Sequence, residues 1–431
     1  MRFRASDVAA ATGGRLVGPD VDIDGAGFDT RTLRPGQLFA PLVAERDGHD
    51  FIGDALAAGA AAYLTAHTAA GGSAIEVADT LRALMDLGAQ QRQRLAGTVI
   101  AITGSVGKTS TKDMAWKALA ASRRTAANER SFNNEQGLPI TILNCPEDTE
   151  VLVVEMGMRG LGEIEQLCRI ARPSIGVVTR VAEAHSDRVG GIEGVARAKA
   201  ELIAALPADG IAILNGDDHR VRAMSQQHAG ATLIFGETAD ADVRIRGLAL
   251  DELARPSFAL ETPWGKADVR LSISGRHMAH NAAAAIACVG AVGGDLEAGA
   301  AALSEVGLTA MRMQVERTAS GALILNDSYN ANPTSMRAAL DALVDLPAMR
   351  RVAILGIMAE ISDAEAEHRA IAGYAADRGI ELIAVGTDLY GIAPSDDAAA
   401  ALGPISAEDA VLVKGSRVAG LEKLAALLVS R

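Results

Sequence analysis

The sequence predicts an α/β protein with parallel sheets, divided into three domains. Three observations carry that prediction. The chain has 431 residues, more than one hydrophobic core normally accommodates. Its 44 glycines cluster after short β-branched runs that are followed by long Ala/Leu helical patterns. One of those runs, Thr98 to Thr103, feeds a Gly-Lys-Thr loop and then a helical stretch.

The elements follow in order. In residues 1–94, a helical Ser6 to Thr12 precedes short strands. Asp54 to Gly59 then reads as a helix leading into strand Ala61 to Thr65, and the polar helix Thr80 to Arg94 closes a small N-terminal α/β domain. Residues 95–307 open on strand Thr98 to Thr103. Val151 to Glu155, Ile175 to Thr179 and Ile211 to Leu214 are further apolar strands joined through helical patterns, which predicts a central domain built on a parallel sheet. Residues 308–431 contain strand Ala322 to Asn326, helix Thr334 to Leu343, and strands Val352 to Leu355, Leu382 to Val385 and Ala410 to Val413. They predict a smaller doubly wound, Rossmann-like domain.

Composition narrows the function. Apolar residues make up 49% of the chain, enough for sizeable cores. Lys plus Arg number 41 against 54 Asp plus Glu, a net charge of −13, which is the reverse of a nucleic-acid binder. The three cysteines, Cys145, Cys168 and Cys288, are far apart and show no zinc spacing, so reducing cytoplasm is expected. Residues 1–11 lack the apolar core of a signal peptide, and the charge-free stretch Leu56 to Ile75 is mostly Ala, Gly and Thr. No membrane insertion is expected.

The chemistry concentrates after strand Thr98 to Thr103. Gly104, Ser105 and Gly107 form a turn whose backbone N–H groups can face phosphate oxygens, and the helix that follows adds the positive end of its dipole. Lys108 can reach β/γ-phosphates, the Thr109 hydroxyl can ligate Mg²⁺, and Ser110 continues the first turn. The commoner spacing of this P-loop would place glycine at position 102, which is Ile102, so the loop is a shortened variant. Glu155 ends an apolar strand where parallel sheets present ligands, and is the first metal candidate. Glu183 and His185 follow the next strand to the same edge. Hard cations favour oxygen, so His185 reads equally well as a structural residue. In the helix from Glu193 to Leu206, Val195, Lys199, Leu202 and Leu206 share one apolar stripe, while Glu193, Arg197 and Glu201 face elsewhere. Lys199 is therefore a lysine in a buried stripe. It either snorkels or has a lowered pKa that opens it to covalent modification or phosphate contact.

Together these residues resemble the Mur ligase family of ATP-dependent amide-forming enzymes, whose short loop reads Thr-Gly-x-x-Gly-Lys-Thr as Thr103 to Thr109 does here. The resemblance covers nearly the whole chain. Phe132-Asn-Asn-Glu-Gln-Gly-Leu-Pro139, Glu155-Met-Gly157 with Gly162-Glu-Ile164, Asn326-Asp-Ser-Tyr-Asn-Ala-Asn-Pro333 and Leu412-Val-Lys-Gly-Ser-Arg417 resemble the branch that joins D-alanyl-D-alanine to UDP-N-acetylmuramoyl-tripeptide.

The resemblance implies a first domain holding the uridine nucleotide, with Asp29, Thr30 and Arg31, Phe39, and Asp47, Gly48 and His49 on the uridine side; without it these runs read as turns. It implies that Lys108 and Thr109 meet ATP and Mg²⁺, that Glu155 and His185 hold metal, and that Lys199 is carbamylated. It further implies that His280 and Asn281 lie near adenine and that Arg312 and Asp327 close over phosphates and ribose. Tyr329, Asn330 and Asn332 would lie beside the reacting groups, and Asn133 and Asn134 on the substrate side. Asn281 also reads as a helix cap.

The chain departs from the family pattern in several places. Arg180 replaces an Asn, Ile357 replaces an Asp in Leu355-Gly-Ile-Met358, Glu360-Ile-Ser362 stands in place of Glu-Leu-Gly, and Arg130-Ser131 stands where a Gly precedes the Asn-Asn pair. The expectation is thus a monomeric, cytoplasmic, ATP- and Mg²⁺-dependent ligase of small-molecule substrates. Two rivals stand beside it. One is a related ligase with another acceptor, against which the Tyr-Asn-Ala-Asn-Pro run argues, and the other is a catalytically silent precursor binder, prompted by Arg180 and Ile357.

Overall fold

The computed structural model describes residues 1–69, 71–128, 132–182, 189–307, 310–359 and 361–430. The first strands form two sheets. Arg2–Arg4 pairs antiparallel with Asp22–Asp24, while Arg15–Val17, Ala74–Glu76, Ala62–Thr65, Leu38–Phe39 and Ala26–Gly27 lie side by side in a five-stranded sheet. Helix Thr80–Arg92 starts where the Asp79 carboxylate accepts from the Arg82 N–H at 2.9 Å, satisfying one of the free amides of the first turn. Its other face packs on helices Gly137–Leu143 and Glu163–Ala171. The Met1 ammonium also donates to the Leu143 and Cys145 carbonyls, so this unit is fastened to the next one at its first residue.

The central sheet has nine strands. In spatial order they are Gly265–Arg270, Pro256–Thr262, Val243–Leu250, Ala231–Gly236, Ile211–Asn215, Ile175–Val178, Thr98–Thr103, Val151–Glu155 and Thr125–Ala127. The seven from Val243–Leu250 to Thr125–Ala127 run parallel. Pro256–Thr262 turns back antiparallel to them, and Gly265–Arg270 reverses again through a tight turn in which Thr262 pairs with Gly265, so the sheet is mixed where a parallel one was expected. These outer strands have one solvated face, and Gly265–Arg270 alternates exposed and buried residues accordingly.

The third sheet orders Gln314–Arg317, Leu323–Asn326, Asp409–Lys414, Arg350–Leu355 and Glu381–Ala384, parallel except for its first strand. Helices Pro333–Asp345 and Ala364–Ala376 cover one side.

The period of two in Thr98–Thr103 divides the packing. Ile100 and Ile102 join a core that includes helix Met278–Ala291 and continues to Leu323, Leu325 and Leu412 of the third sheet. Val99 and Ala101 face the opposite way, into a core shared with Leu84 and Leu87 of the N-terminal unit. The glycine loop therefore emerges from a strand clamped on both faces. Among the described residues, no helix is long and apolar enough to cross a membrane.

Candidate active site

Strand Thr98–Thr103 lies between Ile175–Val178 and Val151–Glu155, at the point where the sequence order of the sheet reverses direction. Ligands enter α/β sheets at this crevice. Two glycines let the loop turn there. A Cβ on Gly104 would lie 1.9 Å from the Thr179 hydroxyl, and Gly107 sits at φ 83 with Asn281 Oδ1 only 2.7 Å from where its Cβ would be. Thr179 Oγ1 donates to the Val106 carbonyl at 2.6 Å, and Ser105 Oγ donates to the Ala182 carbonyl at 2.8 Å, so the loop is tied to the neighbouring strand end.

Helix Lys108–Ala120 begins directly after Gly107. The Lys108 ammonium donates to the Gly104 carbonyl at 2.8 Å. Burial depresses its pKa and the Arg312 charge adds to this, while the Glu155 carboxylate works in the opposite sense. Thr109 is buried, with Oγ1 donating to Glu155 Oε2 at 2.7 Å; Asn133 Nδ2 donates to the other carboxylate oxygen, also at 2.7 Å. Glu155 N in turn donates to Asn128 Oδ1 at 2.9 Å. A hydroxyl and a carboxylate thus meet in a fixed place, both hard oxygen donors. Ser110 is buried beneath the loop, and Asn134 caps the following turn by accepting from the Gly137 N–H at 3.0 Å.

Lys199 lies on helix Gly191–Ala204 and is buried, as its place in the apolar stripe predicts. Burial lowers its pKa well below that of an ordinary lysine, and the neighbouring Lys108 charge adds to the shift. Its amine borders the same cleft as Lys108 and Glu155. Glu183 and His185 lie outside the described residues.

The cleft is about 1150 Å³ and runs from the loop to the third sheet. On its central-domain rim, the His280 ring nitrogen is 3.0 Å from the Asp217 carboxylate. Burial opposes the charge on Asp217, but hydrogen bonds from His280 and the Glu237 N–H outweigh it and hold the pKa down. Asn281 is buried within helix Met278–Ala291 behind Gly107. His277, just before that helix, has its pKa pushed down to about 4 by burial; Asp327 opposes this shift, and His280, Lys414 and Arg180 reinforce it.

Across the cleft, the Arg312 guanidinium stacks 4.1 Å from the centre of the Tyr329 ring, and its buried Nε has no hydrogen bond among the described residues. Asp327 pairs with the buried Lys414 and accepts from the Met313 N–H at 3.1 Å. Asn330 contributes its carbonyl to the same lysine. Asn332 lines the cleft, but its side chain is occupied as a helix cap, accepting from the Ser335 N–H at 2.9 Å. Lys414, His277, Asp217 and Asn128 escaped the sequence reading. Only Lys414 left a signal, as a charge that ends an apolar strand and lies in the Leu412 to Arg417 run that carries the resemblance.

The N-terminal candidates do not line this cleft. Asp29 and Arg31 pair with each other at 2.7 Å beside Thr30, and Phe39 is buried in a small N-terminal core. Asp47, His49 and His67 are the one group of His, Cys, Asp and Glu among the described residues with donor atoms close enough to share an ion. The tautomer argues against that. The Ala66 N–H donates to His49 Nε2 at 3.0 Å, so the ring proton sits on Nδ1, 2.6 Å from Asp47 Oδ1, and neither nitrogen has a lone pair to offer. Gly48 packs tightly against Leu42, so a Cβ there would meet its amide at 2.5 Å.

The departures have local explanations. The Arg180 carbonyl accepts from the Ser105 N–H at 2.7 Å, a backbone bond that any residue supplies, and its side chain is exposed in the cleft. The Ile357 carbonyl accepts from the Ser416 N–H at 2.9 Å, and its side chain is absent from the cleft lining. Arg130, Ser131 and Glu360 lie outside the described residues.

A glycine loop at the switch point of a nine-stranded sheet, facing a second doubly wound sheet across a cleft lined with lysines, arginines and carboxylates, is the architecture of an ATP-dependent ligase. The Mur ligase middle domain matches residues 102–289, and the Mur ligase glutamate ligase domain matches residues 311–427. The chain belongs to the Mur ligase family. It is 39% identical to the UDP-N-acetylmuramoyl-tripeptide–D-alanyl-D-alanine ligase of Mycobacterium tuberculosis strain H37Rv over 94% of this chain and 91% of that one. It is 35% identical to the Escherichia coli K12 ligase of the same name, over 95% of each. Among solved structures, MurF from Acinetobacter baumannii superimposes with a TM-score of 0.90 at 29% identity, covering 100% of this chain and 99% of that one. MurF from Thermotoga maritima in complex with ADP superimposes with a TM-score of 0.80 at 26% identity, over 93% and 96% of the two chains.

Proposed function

We propose that this chain joins D-alanyl-D-alanine to UDP-N-acetylmuramoyl-tripeptide at the expense of ATP, completing the pentapeptide precursor of peptidoglycan. The observation that carries the mechanism is the Thr109–Glu155–Asn133 chain of hydrogen bonds beside Lys108 and Lys199, opposite Arg312.

The tripeptide carboxylate attacks the γ-phosphorus of ATP, forming an acyl phosphate and releasing ADP. The D-alanyl-D-alanine amine then attacks the acyl carbon and inorganic phosphate leaves. In this reading the Gly104, Ser105 and Gly107 loop, with Ser110 behind it, holds the phosphates through the free amides of the helix start. Lys108, displaced from the Gly104 carbonyl, and Arg312 meet charge as it develops on the transferred group. His280 and Asn281 border the adenine, and Asp327, Tyr329 and Asn330 border ribose and phosphates. Asn133, Asn134 and Asn332 lie towards the peptide. Closing residues 308–431 onto residues 95–307 excludes water that would hydrolyse the acyl phosphate.

Thr109 and Glu155 fit Mg²⁺, because the carboxylate has no ion pair among the described residues and both groups are hard donors. His185 and a carbamylated Lys199 would complete the set, and the ion bound there would neutralise charge on the phosphoryl oxygens. Burial, with the Lys108 charge beside it, shifts Lys199 towards the neutral amine, the form whose lone pair adds to CO₂ with loss of a proton to give a carbamate. Residues 1–94, including Asp29, Thr30, Arg31, Phe39, Asp47, Gly48 and His49, would hold the uridine nucleotide. The reading is of a cytoplasmic monomer acting on small molecules.

The test is ADP formation from ATP, Mg²⁺ and UDP-muramoyl-tripeptide with D-alanyl-D-alanine, single D-alanine or no acceptor. Turnover that requires the dipeptide is expected. Binding of the UDP precursor with no turnover for any acceptor would overturn the reading.

A further inference from the structure

We propose that Lys414 is a positioning residue for the reaction: it touches no reacting group, but it holds the turn that presents Asp327, Tyr329 and Asn330 to the nucleotide. This rests on the reading that the turn faces the nucleotide.

Lys414 is the last residue of strand Asp409–Lys414, in the middle of the third sheet, and its side chain is 1% exposed. An ammonium has three protons and no acceptor capacity. Among the described residues all its hydrogen-bond partners belong to one four-residue turn: the Asp327 carboxylate, the Asp327 carbonyl at 3.4 Å and the Asn330 carbonyl at 2.8 Å. The turn is therefore fixed at both ends by a single group, and Tyr329 between them is aimed at Arg312. The backbone of the same strand end reinforces this, since the Asp327 N–H donates to the Val413 carbonyl at 3.0 Å.

Two residues further on, Ser416 extends the arrangement. Its hydroxyl donates to the Ala331 carbonyl at 3.3 Å and accepts from the Ala359 N–H at 2.8 Å, joining the turn to the segment after strand Arg350–Leu355. A buried charge is costly unless its partners are held in good geometry, and the same cost resists any drift of the partners away from it. Lys414 thus makes the cleft-facing position of Asp327 the stable one before nucleotide arrives, and so acts by preorganisation.

Steady-state kinetics of the full chain carrying Lys414→Met, Asp327→Asn or both will decide this, with equilibrium binding of the UDP precursor as the check on folding. Lys414→Met is expected to raise the KM for ATP about 10- to 100-fold, the range for groups that orient contacting residues. Precursor affinity and the KM for D-alanyl-D-alanine should stay within about twofold. An unchanged KM for ATP would overturn the proposal, as would a loss spread over all three substrates in step with lowered stability. If Lys414→Met does not fold, the doubly neutral Lys414→Met/Asp327→Asn chain is compared with Asp327→Asn alone. A further rise in the KM for ATP supports the positioning role, and identical values overturn it. Unaltered ATP kinetics in Asp327→Asn would instead remove the reading of that wall, and the role of Lys414 with it.

Discussion

The central glycine loop and the N-terminal turns both carry charged and hydrogen-bonding groups at short spacing, and the fold treats them differently. In the loop, Thr109 meets Glu155 46 residues away, and Lys108, though it donates to the Gly104 carbonyl of its own loop, feels the charges of Glu155 and Arg312 from other elements. In the turns, Asp29 meets Arg31 and Asp47 meets His49, each only two residues away. Groups satisfied by their own turn hold the backbone in shape. Groups left facing one another across strand ends create a field that a ligand can use. Under the proposed function, the difference separates a chemical centre from a scaffold that presents a binding surface.

The strongest break of this comparison is Lys108→Ala. If Lys108 meets the transferred phosphoryl as proposed, removing its charge should cut kcat by roughly 100- to 1000-fold. UDP-precursor affinity should be unaffected, because the N-terminal turns do not line the cleft. Single-turnover ADP release together with precursor titration measures both, and retained turnover would dismiss the loop assignment.

Lys199→Ala comes next. A loss of about 10- to 100-fold is expected if the lysine supplies a ligand oxygen as its carbamate, and acetate or formate should restore part of it by entering the space vacated. Kinetics matching those of the unaltered chain would show that its burial is structural only.

How much of this could be read beforehand depends on the distance between partners. Strand Thr98–Thr103, its loop and helix Lys108–Ala120 were legible because hydrophobic period, glycine and Lys-Thr lie within one continuous segment. The stripe position of Lys199 predicted its burial for the same reason. The three-stranded outer meander from Val243 to Arg270 was not legible. Its bulge between Arg246 and Ala249 breaks the alternation that announces a strand, and its direction depends on the reversal at Thr262 to Gly265. Lys414 is the extreme case: its acceptors are 87 and 84 residues away, so although its Leu412 to Arg417 run carries part of the resemblance, the local pattern does not reveal which groups the ammonium holds. Asn332 shows the converse. Its run carries the resemblance, yet the local capping geometry already accounts for its side chain.

The scaffold side of the comparison is sharpened by His49→Ala. That change strips the Asp47 carboxylate of a ring donor and leaves the Ala66 N–H without its acceptor. Stability should fall only modestly, because water reaches both the Ala66 N–H and the Asp47 carboxylate, and precursor affinity should weaken. The KM for ATP should not move. A variant with altered ATP kinetics and unchanged precursor binding would contradict the division between the two regions.

The smallest effect concerns His277, which belongs to the cleft but is not among the groups proposed to react. In the folded chain it accepts a proton only at about pH 4, because burial and the charges of His280, Lys414 and Arg180 outweigh Asp327. An unfolded histidine titrates near pH 6.5. Between these values the unfolded chain binds a proton that the folded chain refuses, so this residue makes no difference above about pH 6.5 and lowers stability progressively as pH falls towards 4. His277→Gln should remove that part of the acid loss, flattening the urea midpoint between pH 6.5 and about 4 while leaving the midpoint near pH 8 unchanged apart from any packing cost. Parallel pH curves for the two chains would mean that the imidazole is free to charge within the cleft.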